Sequence, residues 1–365
     1  MILLDAGAST PLRPEVLAAM EPWLGRDGGN PSSLHAAGRR ARKAVEDARE
    51  RAAAALGLLD PRELIFGSGA TESNALAILG AAEALGAKAE LVVGAVEHPS
   101  VLAPFARLER RGWKVTPLPA GPDGRVAVPG APAAFASVQA VNHETGALQP
   151  IAELRRALPR AVLHVDAAQA VGKIPLDLGL ADLWTLSAHK VHGPRGVGAL
   201  VVRRGCALEP LLAGGGQEFG LRAGTENVAG IVGFAEALAL PAGRLQALRD
   251  RLERALLRLP GARRNGPERE RAPHLSNLAF EGLRGDTLVH ALDAEGLCVS
   301  SGSACASGSA EPSPVLLAMG QPPERAREGV RFGVSALTTE GEVDAAIALV
   351  ERTVARLRAV AGPAR

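Results

Sequence analysis

Short apolar runs alternate with longer amphipathic ones through the first two thirds of the chain. LIFGSG is followed by ESNALAILGAAEALG and LVVGAVEH by VLAPFARLERRG, and AVLHVDAAQ, LWTLSAHK and VGALVVRRG continue the series. The short runs suit buried strands and the longer ones helices laid against them. Such alternation predicts an α/β fold with a doubly wound, mostly parallel sheet, and ligands of these sheets bind outside the carboxyl ends of the strands. From about residue 243, RLQALRDRLERALLRL predicts a long amphipathic helix with basic outer positions. The rhythm of strands and helices changes after it, which marks the passage into a smaller second domain. No internal repeat or long linker interrupts the pattern.

Composition sharpens this picture. A chain of 365 residues, 47% hydrophobic and 22% charged, sustains a large core in one big domain or in a large and a small one. With a formal charge of only +2 and 3% aromatic residues, neither an electrostatic nor a stacking footprint for nucleic acid is present. MILLDAGASTPLRPEV reaches an acid at position 5 without a basic start and a long apolar run, so no secretory signal is expected. No apolar run is long enough to span a bilayer, and the expected location is cytoplasmic. Cysteines 206, 298 and 305 form no CxxC pair and no even set, which argues against a disulfide framework or a cysteine-rich zinc site. Cys298 has the apolar neighbours of a buried structural thiol. Cys305, in LCVSSGSACASGSAEPSP, has only serine, glycine and alanine around it and is expected to be free.

Three segments carry candidate chemistry. In IFGSGATESNALAILG a strand, a turn with two glycines and a helix would offer bare backbone N–H groups and the Thr71 hydroxyl to a phosphate, although glycine often serves such turns for geometry alone. In AVLHVDAAQAVG, Asp166 closes an apolar strand and Gln169 follows about one helical turn later. In LWTLSAHKVHGPRGVGAL, Ser187, His189 and Lys190 stand at another strand end. Taken singly, Lys190 reads as a solvated surface lysine and Asp166 as a helix cap. Taken together, a carboxylate that keeps a pyridine nitrogen protonated and a lysine that carries an aldehyde as a Schiff base are what pyridoxal phosphate requires. His98, in VEHPS, follows the strand LVVGAV and could lie flat on an aromatic cofactor or shuttle protons, or be an ordinary loop histidine.

LLDAGASTPL, GNPSSLH, GSGATESNALA, VEHPS, VNHETGALQPI, HVDAAQAVGK, SAHKVHGPRGVGAL, GGGQEFGLRAGTEN, SSGSACASGSAEPS and VRFGVSALTTEGEVD follow one another in the order seen in cysteine desulfurases. The chain thus resembles the NifS-like and IscS-like branch of the class V aminotransferase superfamily over nearly its whole length. The resemblance implies the aspartate aminotransferase-like fold type I of pyridoxal 5'-phosphate enzymes. A large domain with a mostly parallel sheet (14–245) would be joined to a smaller α+β domain (1–13 and 246–365) bearing a mobile Cys305 loop, in a homodimer with active sites at the subunit interface.

Carried over residue by residue, the resemblance makes Lys190 the Schiff-base lysine, Asp166 the partner of the pyridine nitrogen and Gln169 a donor to the 3' oxygen. Ala70, Thr71, Ser187 and His189 would hold the phosphate, Thr225 would reach the other subunit's cofactor, and His98 would stack on the ring. Arg331 would receive the substrate carboxylate, which suits a planar guanidinium with two parallel donors. Lys190, Cys305 and His98 are then the catalytic residues: L-cysteine becomes L-alanine, and its sulfur passes to the Cys305 thiolate as a persulfide. The sulfur would serve an iron–sulfur scaffold or another sulfur carrier, for clusters, thiolated cofactors or tRNA. No metal site is expected beyond Cys305 as a candidate transient iron–sulfur ligand.

Three departures from the family pattern stand out. Asp5-Ala6 stands where the family usually has Asp-Asn, a change expected to loosen an N-terminal contact and to touch no catalytic role. His143 stands where asparagine usually precedes the glutamate, close to cofactor and substrate carboxylate, with an imidazole still able to donate one hydrogen bond. The C-terminal RLRAVAGPAR lacks a longer extension through which some relatives engage a scaffold. Two other readings remain: a class V aminotransferase or selenocysteine/cysteine lyase that gives Cys305 no task, and a non-catalytic sulfur-relay platform.

Overall fold

The computed structural model describes residues 1–25, 28–302 and 311–361, so Cys305 lies outside the described residues. In chain order the strands are β1 (Ile2–Leu3), β2 (Leu64–Gly67), β3 (Glu90–Gly94), β4 (Lys114–Leu118), β5 (Phe135–Gln139), β6 (Val162–Asp166) and β7 (Leu183–Ser187). They continue as β8 (Gly198–Val202), β9 (Ala262–Asn265), β10 (Leu275–Phe280), β11 (Leu297–Cys298), β12 (Ser300–Ser301) and β13 (Gly329–Gly333).

Seven strands form the large sheet in the order β2-β8-β7-β6-β5-β3-β4. Strands β3 to β7 pair in parallel, whereas β8 is antiparallel to both β2 and β7. Both faces are covered, which is why these strands read as continuous apolar runs. Period-two alternation sorts the side chains: Val92 and Val165 enter one core, while Leu91, Val93 and Phe135 enter the other. The first face is covered by helices α1 (Pro14–Leu24), α2 (Ala36–Leu56) and, later in the chain, the helix Val228–Ala239. The second is covered by α3 (Ala70–Ala75), which runs through a π-helical turn (Leu76–Gly80) into α4 (Ala81–Ala84), and by α5 (Pro99–Arg110). One buried polar stripe crosses the sheet, with His164 Nδ1 2.8 Å from the Ser137 hydroxyl and Nε2 3.0 Å from the Thr185 hydroxyl.

The second sheet is antiparallel, ordered β12-β13-β10-β9, and shares a core of Leu252, Phe280, Leu288, Phe332 and Val350 with the helices Leu245–Leu256, Gly285–Asp293 and Glu340–Ala361. The expected helix from residue 243 is therefore present, with one correction to its basic outer face. Arg249 is buried and donates to the Ala272 carbonyl at 3.0 Å.

The chain start links the two sheets. β1 pairs in parallel with β11, Leu4 enters the second core, and Asp5 bridges to Gly333. From there residues 5–10 cross toward the end of β7, where Thr10 N–H donates to the His189 carbonyl at 2.9 Å. Among the described residues no helix is long and apolar enough to cross a membrane.

Candidate active site

A cavity of about 700 Å³ opens at the carboxyl ends of the parallel strands, within the size range of small-molecule and cofactor sites. Its wall includes Ala70, Thr71, His98, His143, Asp166, Gln169, Ser187, His189, Lys190 and Arg331. Every expected site residue from the described chain is there except Thr225, which is exposed and lies off the cavity in this protomer.

Asp166 is the last residue of β6, and Lys190 ends the short turn after the neighbouring strand β7. The Asp166 carboxylate is buried; Oδ1 accepts from the Ala168 N–H and Oδ2 from the Asn74 amide, at 2.9 and 2.8 Å. Asn74 also donates to the Ser100 hydroxyl at 2.8 Å, and that hydroxyl lies 2.8 Å from His98 Nδ1. Because His98 Nδ1 also accepts from the Ser100 N–H at 3.1 Å, capping α5, its ring proton belongs on Nε2. Burial, with smaller contributions from Lys190 and Arg331, pushes the His98 pKa below its usual value despite the opposing charge of Asp166.

Residues 168–173 form turns, so no regular helix joins Asp166 to Gln169. The Gln169 amide is fixed at both ends: Nε2 donates to the Gly7 carbonyl at 2.8 Å and Oε1 lies 3.1 Å from His274 Nε2. Lys190 Nζ donates to the Gly7 and Ala8 carbonyls at 2.5 and 2.9 Å, so the chain start forms one wall of the site. Thr71 and Ala70 open α3 after Gly69, whose φ of 148° and extended ψ favour glycine. A side chain on Gly198 would collide with Gly69 at 2.6 Å, so β8 and this turn require the bare backbone. His189 Nδ1 is 3.3 Å from the Ser9 hydroxyl, and burial with Lys190 and Arg195 nearby lowers its pKa to about 4.

Arg331 reaches the cavity from β13. It is buried, donates from Nη1 to the His143 carbonyl at 2.8 Å and pairs through Nη2 with Asp5 Oδ1 at 3.2 Å. The chain start thus reaches the expected substrate arginine: Asp5 touches it, and a Ser300 hydroxyl bond at 2.7 Å holds Asp5 there. The His143 expectation needs correction. Its Nδ1 faces Gln139 Oε1 at 3.1 Å, so the one N–H of a neutral ring is already engaged.

Several residues were not foreseen. Glu97 is buried beside Asp166, and burial first, then that charge, raises its pKa well above the usual carboxyl range. Glu144 accepts from the Ser313 hydroxyl at 2.6 Å and is raised to about 7 by burial. Lys173, in the HVDAAQAVGK stretch, has its amine lowered to about 7 by burial and then by Lys190. A lysine directly after an apolar, glycine-containing run was the available signal. Cys298, expected to be buried, is half-buried, as is Cys206, whose thiol burial pushes up to about 12. Among the described residues no cluster of metal-ligating side chains is present.

The aminotransferase class-V family model matches residues 2–346. A cysteine desulfurase of Trichormus azollae is 42% identical over 378 residues, covering 99% of this chain and 94% of the relative. A cysteine desulfurase IscS of Dictyoglomus turgidum is 41% identical, covering 98% and 96%. Among solved structures, a NifS-like protein matches with a TM-score of 0.89 at 34% identity, covering 97% of this chain and 99% of that one. SspA in complex with cysteine matches with a TM-score of 0.83 at 32% identity, covering 93% and 100%. With the paired strand-end aspartate and lysine already located, these likenesses show that the chain belongs to the pyridoxal phosphate-dependent aminotransferase class-V family, in its cysteine desulfurase branch.

Proposed function

We propose that this protein removes sulfur from L-cysteine, leaving L-alanine, and carries the sulfur as a persulfide on Cys305. The observation that carries the reading is the placement of Asp166 and Lys190 at the ends of adjacent strands on one cavity that Arg331 enters from the second sheet.

The residues fit pyridoxal phosphate. Ser187 Oγ is buried on the cavity wall without a hydrogen-bond partner among the described residues, and with Thr71, His189 and the backbone at Ala70 it supplies the donors a phosphate needs. Asp166 would hold positive charge on the pyridine nitrogen, Gln169 would neighbour the 3' oxygen, and His98 offers a flat ring. When bound, the cofactor supplies an electron sink for the carbanion formed at the substrate's α carbon.

The chain's own groups do the rest. Lys190 Nζ would hold the cofactor's aldehyde, and its amine, when free, would take the substrate's α proton. Arg331 holds the substrate carboxylate, and His143 borders it. The Cys305 thiolate then attacks the substrate sulfur: an S–S bond forms, the C–S bond breaks, and its electron pair stays with the β carbon.

The same reading includes a homodimer, a cytoplasmic location, and delivery to an iron–sulfur scaffold or another sulfur carrier. Support for the dimer comes from Thr225, which is exposed and off the cavity of its own protomer, and from exposed Leu34, Leu212 and Phe219. The division into 14–245 and 1–13 with 246–365 also belongs here. Leu4 and buried apolar residues between Leu245 and Val354 share a separate core, although Ala272, Val315, Leu316, Met319 and Ala326 pack on the large one.

Borohydride reduction of the purified yellow protein, followed by peptide mass spectrometry, tests the cofactor assignment. The adduct is expected on Lys190, and an adduct on another lysine or none at all would overturn it.

A further inference from the structure

A hydrogen-bonding frame around His143 fixes which ring nitrogen carries the proton. Gln139, the last residue of β5, donates from Nε2 to the Val96 carbonyl and accepts at Oε1 from the His143 backbone N–H at 3.3 Å. Turning the amide over would face NH2 against N–H and oxygen against carbonyl, so Oε1 is the atom that meets the ring. An amide oxygen carries no proton, so at 3.1 Å Nδ1 must donate. In the neutral ring Nε2 is then a bare lone pair. Burial keeps the ring neutral, and the positive charges around it add to the effect.

The ring lies on the cavity wall that Arg331 also lines and within reach of its charge, and the His143 carbonyl is itself a partner of Arg331. An asparagine here could offer an N–H to a carboxylate; neutral His143 has none left to offer. Unless Nε2 gains a proton, it faces the anion with like polarity.

We propose that His143 couples occupancy of the Arg331 carboxylate site to the uptake of one proton at Nε2, which makes it the residue that sets how substrate affinity depends on pH. This rests on Arg331 being the carboxylate receptor.

The groups facing the ring support the coupling. His98 meets it edge-on with ring centroids 5.2 Å apart, Glu144 Oε1 is 4.0 Å from Nε2, and Arg331 and Lys190 bear on it from β13 and from the turn after β7. Asp5 already balances part of the Arg331 charge. An arriving carboxylate offsets the positive field that keeps the proton off, so the His143 pKa rises on binding. By linkage, affinity is level below the free-state pKa, falls by up to about tenfold per pH unit between the free and bound values, and is level above them. Glu144 is a competing acceptor, since an anion nearby would raise its pKa as well.

Calorimetric titration of the holoenzyme with 3-mercaptopropionate, which keeps the substrate's carboxylate and thiol but lacks its amine, separates these cases. It is run in two buffers of different ionisation enthalpy at three pH values from about 6 to 8. Wild type and Glu144→Gln are expected to take up protons on binding, with wild-type affinity about tenfold or more higher at the acidic end. His143→Asn is expected to show no uptake and a nearly level affinity. Uptake that persists in His143→Asn, or wild-type binding without uptake, overturns the coupling. Undiminished binding by Arg331→Ala overturns the carboxylate assignment, and the coupling with it. A nitrogen-15 spectrum of ring-labelled wild-type enzyme gives a check independent of any variant: the Nδ1–H tautomer is expected for ligand-free His143, and the Nε2–H tautomer overturns the inference.

Discussion

Replacing Asp5 with asparagine is expected to move stability and substrate affinity in opposite directions. The change keeps an oxygen to accept from Ser300 and Arg331 and removes only the charge. At 3.2 Å from Arg331 Nη2, the gross attraction at an effective dielectric of about 20 is about 5 kcal/mol. Much of this is offset by the desolvation of two groups whose side chains are 5% and 22% exposed. A net loss of about 1–3 kcal/mol of unfolding free energy is therefore expected, read from urea denaturation. On the binding side, Asp5 competes with the substrate carboxylate for the same guanidinium. Without that charge the KM for L-cysteine in a sulfide-release assay should fall about three- to tenfold, equivalent to roughly 1 kcal/mol. A KM that rises together with the loss of stability would show that Asp5 chiefly holds Arg331 in position, and would refute the competition argument.

Three further outcomes follow from the same geometry. In Gly7→Ala the new methyl would lie 2.7 Å from Arg331 Nε, so KM for L-cysteine is expected to rise about tenfold or more while the yellow cofactor absorbance is retained. Asn74→Leu removes the amide that joins Asp166 to Ser100, and a fall of about 1–3 kcal/mol in unfolding free energy should accompany faster cofactor loss on dialysis. Glu144 has a folded-state pKa of about 7, raised by burial. Its favourable contribution is complete below the unfolded-state value near 4.3 and is lost as pH rises toward 7. Glu144→Gln should flatten this part of the stability–pH curve, gaining on wild type by up to about 3 kcal/mol at pH 8; parallel curves would contradict the burial argument.

The large sheet was legible because strands covered on both faces leave continuous apolar runs, and the site's leading members were legible because those runs end on polar residues: Asp166 after VLHV, Ser187 after LWTL. Strand direction leaves no such mark, so the antiparallel β8 could not be read from VGALVV. The roles of Asn74 and Asp5 were hidden for another reason. Their partners lie 92 and 326 positions away, and only the tertiary fold brings those positions together. The His143 tautomer was equally hidden, because it depends on how Gln139 and Val96 orient one amide.

The central claim is tested most directly by supplying purified holoenzyme with L-cysteine and a thiol reductant and measuring L-alanine and sulfide in the same samples, with Cys305→Ala in parallel. Equal amounts of the two products from the intact protein, with little sulfide from the variant, is the predicted result. Undiminished sulfide from Cys305→Ala, or a keto acid formed in place of alanine, would contradict it.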